Sequence, residues 1–280
     1  MIRRHPDAVL AAHRMDPARR ELYVEGKRDR FFLSWLLGSD LPAESSVREI
    51  AFVEIPNVSG GERGRLIQFA HSLADHNVRI RMFADADWDR VLKKVVPERV
   101  WLTDHRDLEG YLLRVECIDK VLRLGVVTDQ IAAESLLRVV KENCKRLGIL
   151  RLLSECEGLN LPFQSTSLRR FLKTKKGEFT LDFDRYLRAL LQNAGISLRE
   201  LKPLRSRLTQ LEAQYADTAD TELIHGKDAT CIIEAALLKC GVREEEGRRL
   251  LWCSFEARLV EPGSTLASVL AFVRAGGVGS

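Results

Sequence analysis

The sequence predicts an α/β fold: a small parallel sheet flanked by helices, joined to a mainly helical insertion and C-terminal helices. Three observations carry that prediction. Over residues 18–115, short β-forming runs alternate with helical patterns of 10–17 residues, the rhythm of βαβ units. From about residue 117 the strand signals stop and amphipathic helical patterns take over. No internal repeat or low-complexity segment divides the chain in another way.

"ELYVE" (21–25) reads as the first strand. "KRDRFFLSWLLG" (27–38) places Phe31, Phe32, Trp35 and Leu36 in a helix that stops at Gly38. "EIAFVEI" (49–55) is an apolar run of β-formers ending at Pro56 and predicts the second strand. "GERGRLIQFAHSLADHN" (61–77) sets Leu66, Phe69, Ala70 and Leu73 on one helical face. "VRIRMFADAD" and "RVWLTD" give the third and fourth strands, and "DLEGYLLRVECIDKVL" returns to helix. Beyond them, residues 129–156 form one long amphipathic helix or two. "GEFTLDFD" reads as a short strand or hairpin, and helices are expected over 183–195, 198–217, 228–241 and 244–259. Four segments follow: 1–17, basic; 18–116, the α/β core; 117–219, a basic helical insertion; and 220–280, a C-terminal helical part that completes the core and frays at "RAGGVGS". The N-terminal stretch reads equally well as a helix docking on a partner or one packing on the sheet.

The chain has 280 residues, 45% apolar and 30% charged, an ordinary soluble composition. No run approaches 18 uninterrupted apolar residues and no apolar h-region opens the chain, so neither a membrane span nor a secretory signal is expected. Six scattered cysteines form no CxxC pair, which argues against a zinc knuckle or disulfide framework and fits a reducing cytoplasm. The net charge of +4 is mild but concentrated. "LRRFLKTKK" (168–176) holds Arg169, Arg170, Lys173, Lys175 and Lys176, and "RELKPLRSR" (199–207) holds four more cations. Such patches track a phosphate backbone or form a solvated helix face. The apolar faces of 231–238 and 250–259 suit a homodimer surface as well as a core.

The acidic residues carry the chemistry. In parallel sheets, ligands bind at the carboxyl ends of the strands. Glu25 ends the first strand, Asp85 and Asp87 the third, and Asp104 the fourth, while Asp107 and Glu109 open the next helix. Carboxylates gathered at one edge need a cation or protons, and oxygen ligands without His or Cys suit Mg²⁺ or Mn²⁺. Each acid also has a plainer role: Glu25 as a cap of the following helix, and Asp89, Asp104 and Asp107 as acids at helix N-termini. No GxxxxGK[ST] is present, so a P-loop is not expected. "SGGERGR" (59–65) reads as a plain glycine loop opening a helix.

An apolar strand ending Glu–Gly, in "LYVEGKRD", about sixty residues before one ending Asp–x–Asp, in "RMFADADWD", resembles the TOPRIM fold of topoisomerases, primases and OLD-type nucleases. "LTDHRDLEGYLL" and the late "HGKDA" (225–229) are similar to the DUF4435 group of TOPRIM-like proteins. That group includes the nuclease subunit of PARIS-type anti-phage systems, whose partner is an ABC-class ATPase. The resemblance covers about residues 18–115 and returns at 225–229. It implies a Rossmann-like sheet and a metal-dependent nuclease. Glu25 would be a metal ligand or general base, Asp85 and Asp87 metal ligands, Glu109 an accessory acid, and Lys227 a stabiliser of phosphate charge. Lys227 equally suits a surface lysine ahead of a helix capped by Asp228. Lys27 and Arg28, just past Glu25, would stand beside the phosphate. The resemblance further implies a cytoplasmic defence effector acting on RNA, including tRNA, or DNA, and restrained by the ATPase. Two other readings stand beside it: a TOPRIM-like binding subunit without catalysis, and a phosphotransferase with an aspartyl nucleophile.

Overall fold

The computed structural model describes residues 3–39, 41–56, 58–125, 132–175 and 178–275. In chain order its elements are α1 (Pro6–Met15), β1 (Arg20–Val24), α2 (Lys27–Leu37), β2 (Ser45–Glu49), α3 (Gly61–Ser72), β3 (Ile80–Ala84) and β4 (Val100–Leu102). They continue with α4 (Val115–Gly125), α5 (Ala133–Cys156), β5 (Leu172–Lys175), β6 (Glu178–Leu181), α6 (Phe183–Asn193) and α7 (Leu201–Gln214). α8 (Asp220–Leu223), α9 (Gly226–Lys239), α10 (Glu244–Ser254) and α11 (Thr265–Arg274) complete the order. The chain divides into two compact units, Met1–Leu108 with Glu256–Ser280 and Glu109–Phe255. These bounds differ from the segments expected at 116/117 and 219/220. Among the described residues, no helix is long and apolar enough to cross a membrane.

The first unit is built on a four-stranded, all-parallel sheet in the order β2-β1-β3-β4. Short apolar strands suit it because both faces are covered. Tyr23, Ile80, Met82, Ala84 and Val100 face Val9 and Leu10 of α1 and Leu66, Phe69 and Ala70 of α3. On the opposite face, Trp101 meets Phe272 of α11 edge-on and Arg20 lies over the same ring. Arg274 of α11 donates to the Leu36 carbonyl of α2, tying these two helices together. The chain leaves β1 to β2 through α2, then returns through α3 to β3 on the other side of β1. The winding therefore reverses between β1 and β3.

α1 packs on the sheet: Val9 and Leu10 are buried, each contributing on the order of 1.5–3 kcal/mol. Its His13 faces the buried carboxylate of Glu21 at 3.5 Å, and Arg4, just before the helix, stands 3.7 Å from the same group. Arg19 at 2.6 Å, Arg48 of β2 at 2.9 Å and the Tyr23 hydroxyl at 2.7 Å complete the shell. Burial alone would raise the Glu21 carboxyl, but the hydrogen bonds from His13, Tyr23 and Arg19 and the charge of Arg48 outweigh it and hold it at about 2.

Two expectations need correction here. The second strand is "SSVRE", not "EIAFVEI". An edge strand pairs on one side only and tolerates polar residues, whereas Ile50–Phe52 turns as a 3-10 helix and sends Ile50 and Val53 into the core. In α2 the buried face is Phe32, Leu33, Leu36 and Leu37, while Phe31 and Trp35 point outward.

In the second unit, 129–156 resolves into one helix, α5, within its described part. "GEFTLDFD" contributes β6, which pairs antiparallel with β5 as a hairpin. α9 buries Ile232, Ile233, Ala236 and Leu237, and α10 buries Leu251, so much of the apolar sequence at 231–237 and around Leu251 is core of this unit, while Leu238 is exposed. Much of the basic sequence is matched by local acids. Arg169 pairs with Glu234 and Glu244, Lys173 with Asp182 at 2.7 Å, Arg205 with Asp184 at 2.7 Å and Arg207 with Glu157 at 3.1 Å.

Candidate functional site

Parallel sheets bind ligands at the carboxyl ends of their strands, where the winding reverses. Here that place is the gap between the ends of β1 and β3. Glu25 follows β1 directly, and Asp85 follows β3 directly. The Asp85 main-chain N–H donates to Glu25 Oε1 at 3.1 Å, so the two strand ends are bonded to each other. The Asp85 carboxylate accepts the Leu108 N–H at 3.0 Å. Glu25, Asp85 and Asp87 thus share one short stretch of the sheet edge.

Asp87 has a left-handed backbone, φ 46°, which Asp tolerates better than most residues but at some cost. Its N–H donates to the Arg106 carbonyl at 2.8 Å, which holds the turn. Arg106 is itself buried and lies over the Trp88 ring at 3.4 Å from its centre. Thr103 accepts the Ala86 N–H and donates to the His105 carbonyl, pinning the loop between the acids from the β4 side. The half-exposed Asp87 carboxylate is held at the edge by this frame.

Sequence reasoning missed the cation of the site. Arg63, in the first turn of α3, donates to the Asp85 carbonyl and to the carboxylate of Asp89. Its guanidinium also stands 3.8 Å from Glu25 Oε1 and 3.6 Å from Asp87 Oδ2. One side chain therefore touches groups from both strand ends. The loop read as a plain glycine turn aims it: Gly60 is left-handed at φ 86°, and a Cβ on Gly64 would collide with the Ser59 carbonyl oxygen. The three glycines of "SGGERG" were the available signal.

The single guanidinium does not satisfy Glu25. Burial pushes the Glu25 carboxyl up to about 7, against the pull of the Asp85 N–H and Arg63 and with a push from the charges of Asp29 and Asp87. Asp89, by contrast, is buried against Arg63, with Lys94 at 3.9 Å.

Other expected site residues lie elsewhere or do other work. Asp104 accepts the N–H groups of Thr265 at 2.7 Å and Leu266 at 3.0 Å and caps α11 rather than joining the acids. Asp107 is buried. Glu109, buried in the 3-10 turn Leu108–Leu112, and Lys227 belong to the second unit. Lys227 is exposed in the first turn of α9, whose N-cap is His225, not Asp228. Asp228 instead grips Arg151 of α5 through two 2.7 Å hydrogen bonds. Gly26 is extended, φ −153°, and a Cβ there would meet nothing within 4 Å, so the turn that aims Glu25 does not require glycine. Its N–H donates to Asp29, an acid inside the first turn of α2. Lys27 and Arg28 are exposed in that same turn. Of the basic run at 168–176, Arg169 and Lys173 are ion-paired, Arg170 is exposed, Lys175 lies on β5, and Lys176 lies outside the described residues.

The resemblance implies a divalent cation. The donor set fits one in chemistry: hard carboxylate oxygens from two strand ends, including a partly buried Glu25 short of positive charge. In geometry Arg63 now stands between them. Among the described residues, no group of three or more His, Cys, Asp or Glu is placed to hold a metal ion. No protein-family model matches the chain, and no curated protein matches it.

Proposed function

We propose that this chain is a TOPRIM-like, metal-dependent nuclease that hydrolyses phosphodiester bonds in nucleic acid at the edge shared by β1 and β3. One observation supports the reading: the strand ends that carry Glu25 and Asp85 are bonded to each other where the winding of a parallel sheet reverses, with Asp87 two residues further on. Glu25, Asp85 and Asp87 would hold Mg²⁺ or Mn²⁺, which, when bound, activates water and stabilises the leaving oxygen. Glu25 reaches the edge through the Asp85 N–H, which fixes one of its oxygens and leaves the other for a ligand. Asp87 presents a half-exposed carboxylate from a strained turn. Arg63 supplies a fixed positive charge next to the incoming phosphate, and Lys27 and Arg28 add two more at the start of α2. By the same resemblance the chain is an anti-phage effector, restrained by an ABC-class ATPase, with RNA such as tRNA or DNA as substrate.

The full chain, alone and with such a partner, is incubated with tRNA, single-stranded and duplex DNA and Mg²⁺ or Mn²⁺. Cleavage is expected, and Glu25→Ala and Asp87→Ala should each lower it by roughly a hundred-fold or more. Cleavage that survives both substitutions removes the site assignment. A second reading, a binding subunit without catalysis, is favoured by the position of Arg63, which already meets four acidic residues through their carboxylates or main chain. Binding of nucleic acid with no cleavage under any of these conditions would select it.

A further inference from the structure

We propose that the outer stripe of α2, formed by Lys27, Phe31 and Trp35, is a stacking surface for single-stranded nucleic acid that leads to the acidic edge. The inference rests on the nucleic-acid reading above and adds the strand state of the substrate and the residues that grip it. α2 already has a complete buried face: Phe32 is 1% exposed, Leu33 0%, Leu36 3% and Leu37 3%. Phe31 and Trp35 add nothing to that face, being 59% and 47% exposed. They are the exposed aromatic residues among the described residues; the other exposed large apolar side chains are aliphatic. The outer face of a surface helix is ordinarily polar, and here it offers two large, partly exposed rings to solvent.

Spacing and charge identify that ligand. Residues 27, 31 and 35 are four apart and lie one above another, about 6 Å per step along the axis. Each step is close to twice the 3.4 Å spacing along a duplex strand, so bases seated on both rings must be splayed apart. A duplex keeps its bases stacked inside and offers no face to such rings, whereas a single strand does. At the near end of the stripe, Lys27 and Arg28 are exposed two and three residues after Glu25. Arg30 is held by Glu49 at 3.2 Å and so belongs to the sheet side of the helix. Phosphates drawn to Lys27 and Arg28 would bring the strand to the carboxylates while its bases rest on Phe31 and Trp35.

The test is binding of the full chain to a fluorescent twelve-nucleotide oligo(U) or oligo(dT) in EDTA, with a duplex of equal length as reference. Phe31→Ala and Trp35→Ala should each weaken single-strand binding by roughly five- to a hundred-fold and leave duplex affinity unchanged. Trp35→Phe should keep the affinity but remove the quenching of tryptophan fluorescence that the oligonucleotide causes in the unaltered chain. Thermal melting of Phe31→Ala should be nearly unchanged, and melting of the two Trp35 variants shows that each is folded at the assay temperature. Wild-type affinity in both alanine variants overturns the proposal. So does a loss of self-association, read by light scattering, with oligonucleotide binding intact, which would make the stripe a protein interface. The assay contains no metal and reads no cleavage. A chain that cuts normally without both rings sinks this inference alone, and one that binds the oligonucleotide yet never cuts sinks the nuclease reading alone.

Discussion

β1 has a glutamate at each end, and the two are treated in opposite ways. Glu21, at the amino end, is fully buried, yet it meets Arg4, Arg19, Arg48, His13 and Tyr23 and is held ionised down to about 2. Glu25, at the carboxyl end, is only partly buried, yet burial with one backbone N–H and one distant guanidinium leaves it at about 7. The same fold can therefore neutralise a buried carboxylate completely where the carboxylate joins α1, β1 and β2. Leaving the other end uncompensated costs stability above its raised titration.

The largest test of this contrast is Glu21→Gln. It strands several cations around a neutral side chain and should cost about 3 kcal/mol at pH 7 in urea unfolding. Glu21 is depressed on folding, so its contribution is present above the unfolded value near 4.5 and is lost as pH falls towards about 2. The variant should lack that acid limb, and an unchanged limb would show that the cluster does not hold the charge. Glu25→Gln should do the reverse. Glu25 is raised on folding, so its ionisation penalises the fold as pH climbs from about 4.5 through about 7. In EDTA at pH 8 the glutamine variant should be more stable by about 2 kcal/mol, with the gain gone at pH 4.5. Equal stability at both pH values would erase the difference between the two ends. The smallest expected effect is that of Arg63→Gln: loss of a 3.8 Å partner should move the Glu25 titration, followed by carboxyl NMR, up by roughly half a unit. A fall instead would mean that Arg63 acts mainly by burying Glu25.

How much of this was legible follows from how local each signal is. Strand ends that carry Glu25, Asp85 and Asp87 are local patterns, and the parallel winding brings them together. β2 was misplaced because an edge strand needs little apolar sequence, while the apolar run beside it drops into the core from a turn. The facing of α2 was ambiguous because Phe31, Phe32, Leu33, Trp35, Leu36 and Leu37 fill too much of the helix for periodicity to select one side. Arg63 reaches acids more than twenty residues away across a tertiary gap, so only its glycine-rich loop could hint at it. The partners of Asp104 lie about 160 residues further on, beyond any local pattern.

That last bond fixes an order of events on the ribosome. β1 to β4 are synthesised early, but the helix that Asp104 caps, and that packs against β1, β2 and β4, begins only at Thr265. Chains ordinarily mature from the amino end, yet here Glu109–Phe255 is fully translated while the first unit still lacks its last helix. The nascent sheet must wait with one face half covered. The first unit thus reaches its finished form only after the helix from Thr265 has been made, and a chain cut short before Thr265 carries every proposed ligand without the helix that completes their sheet.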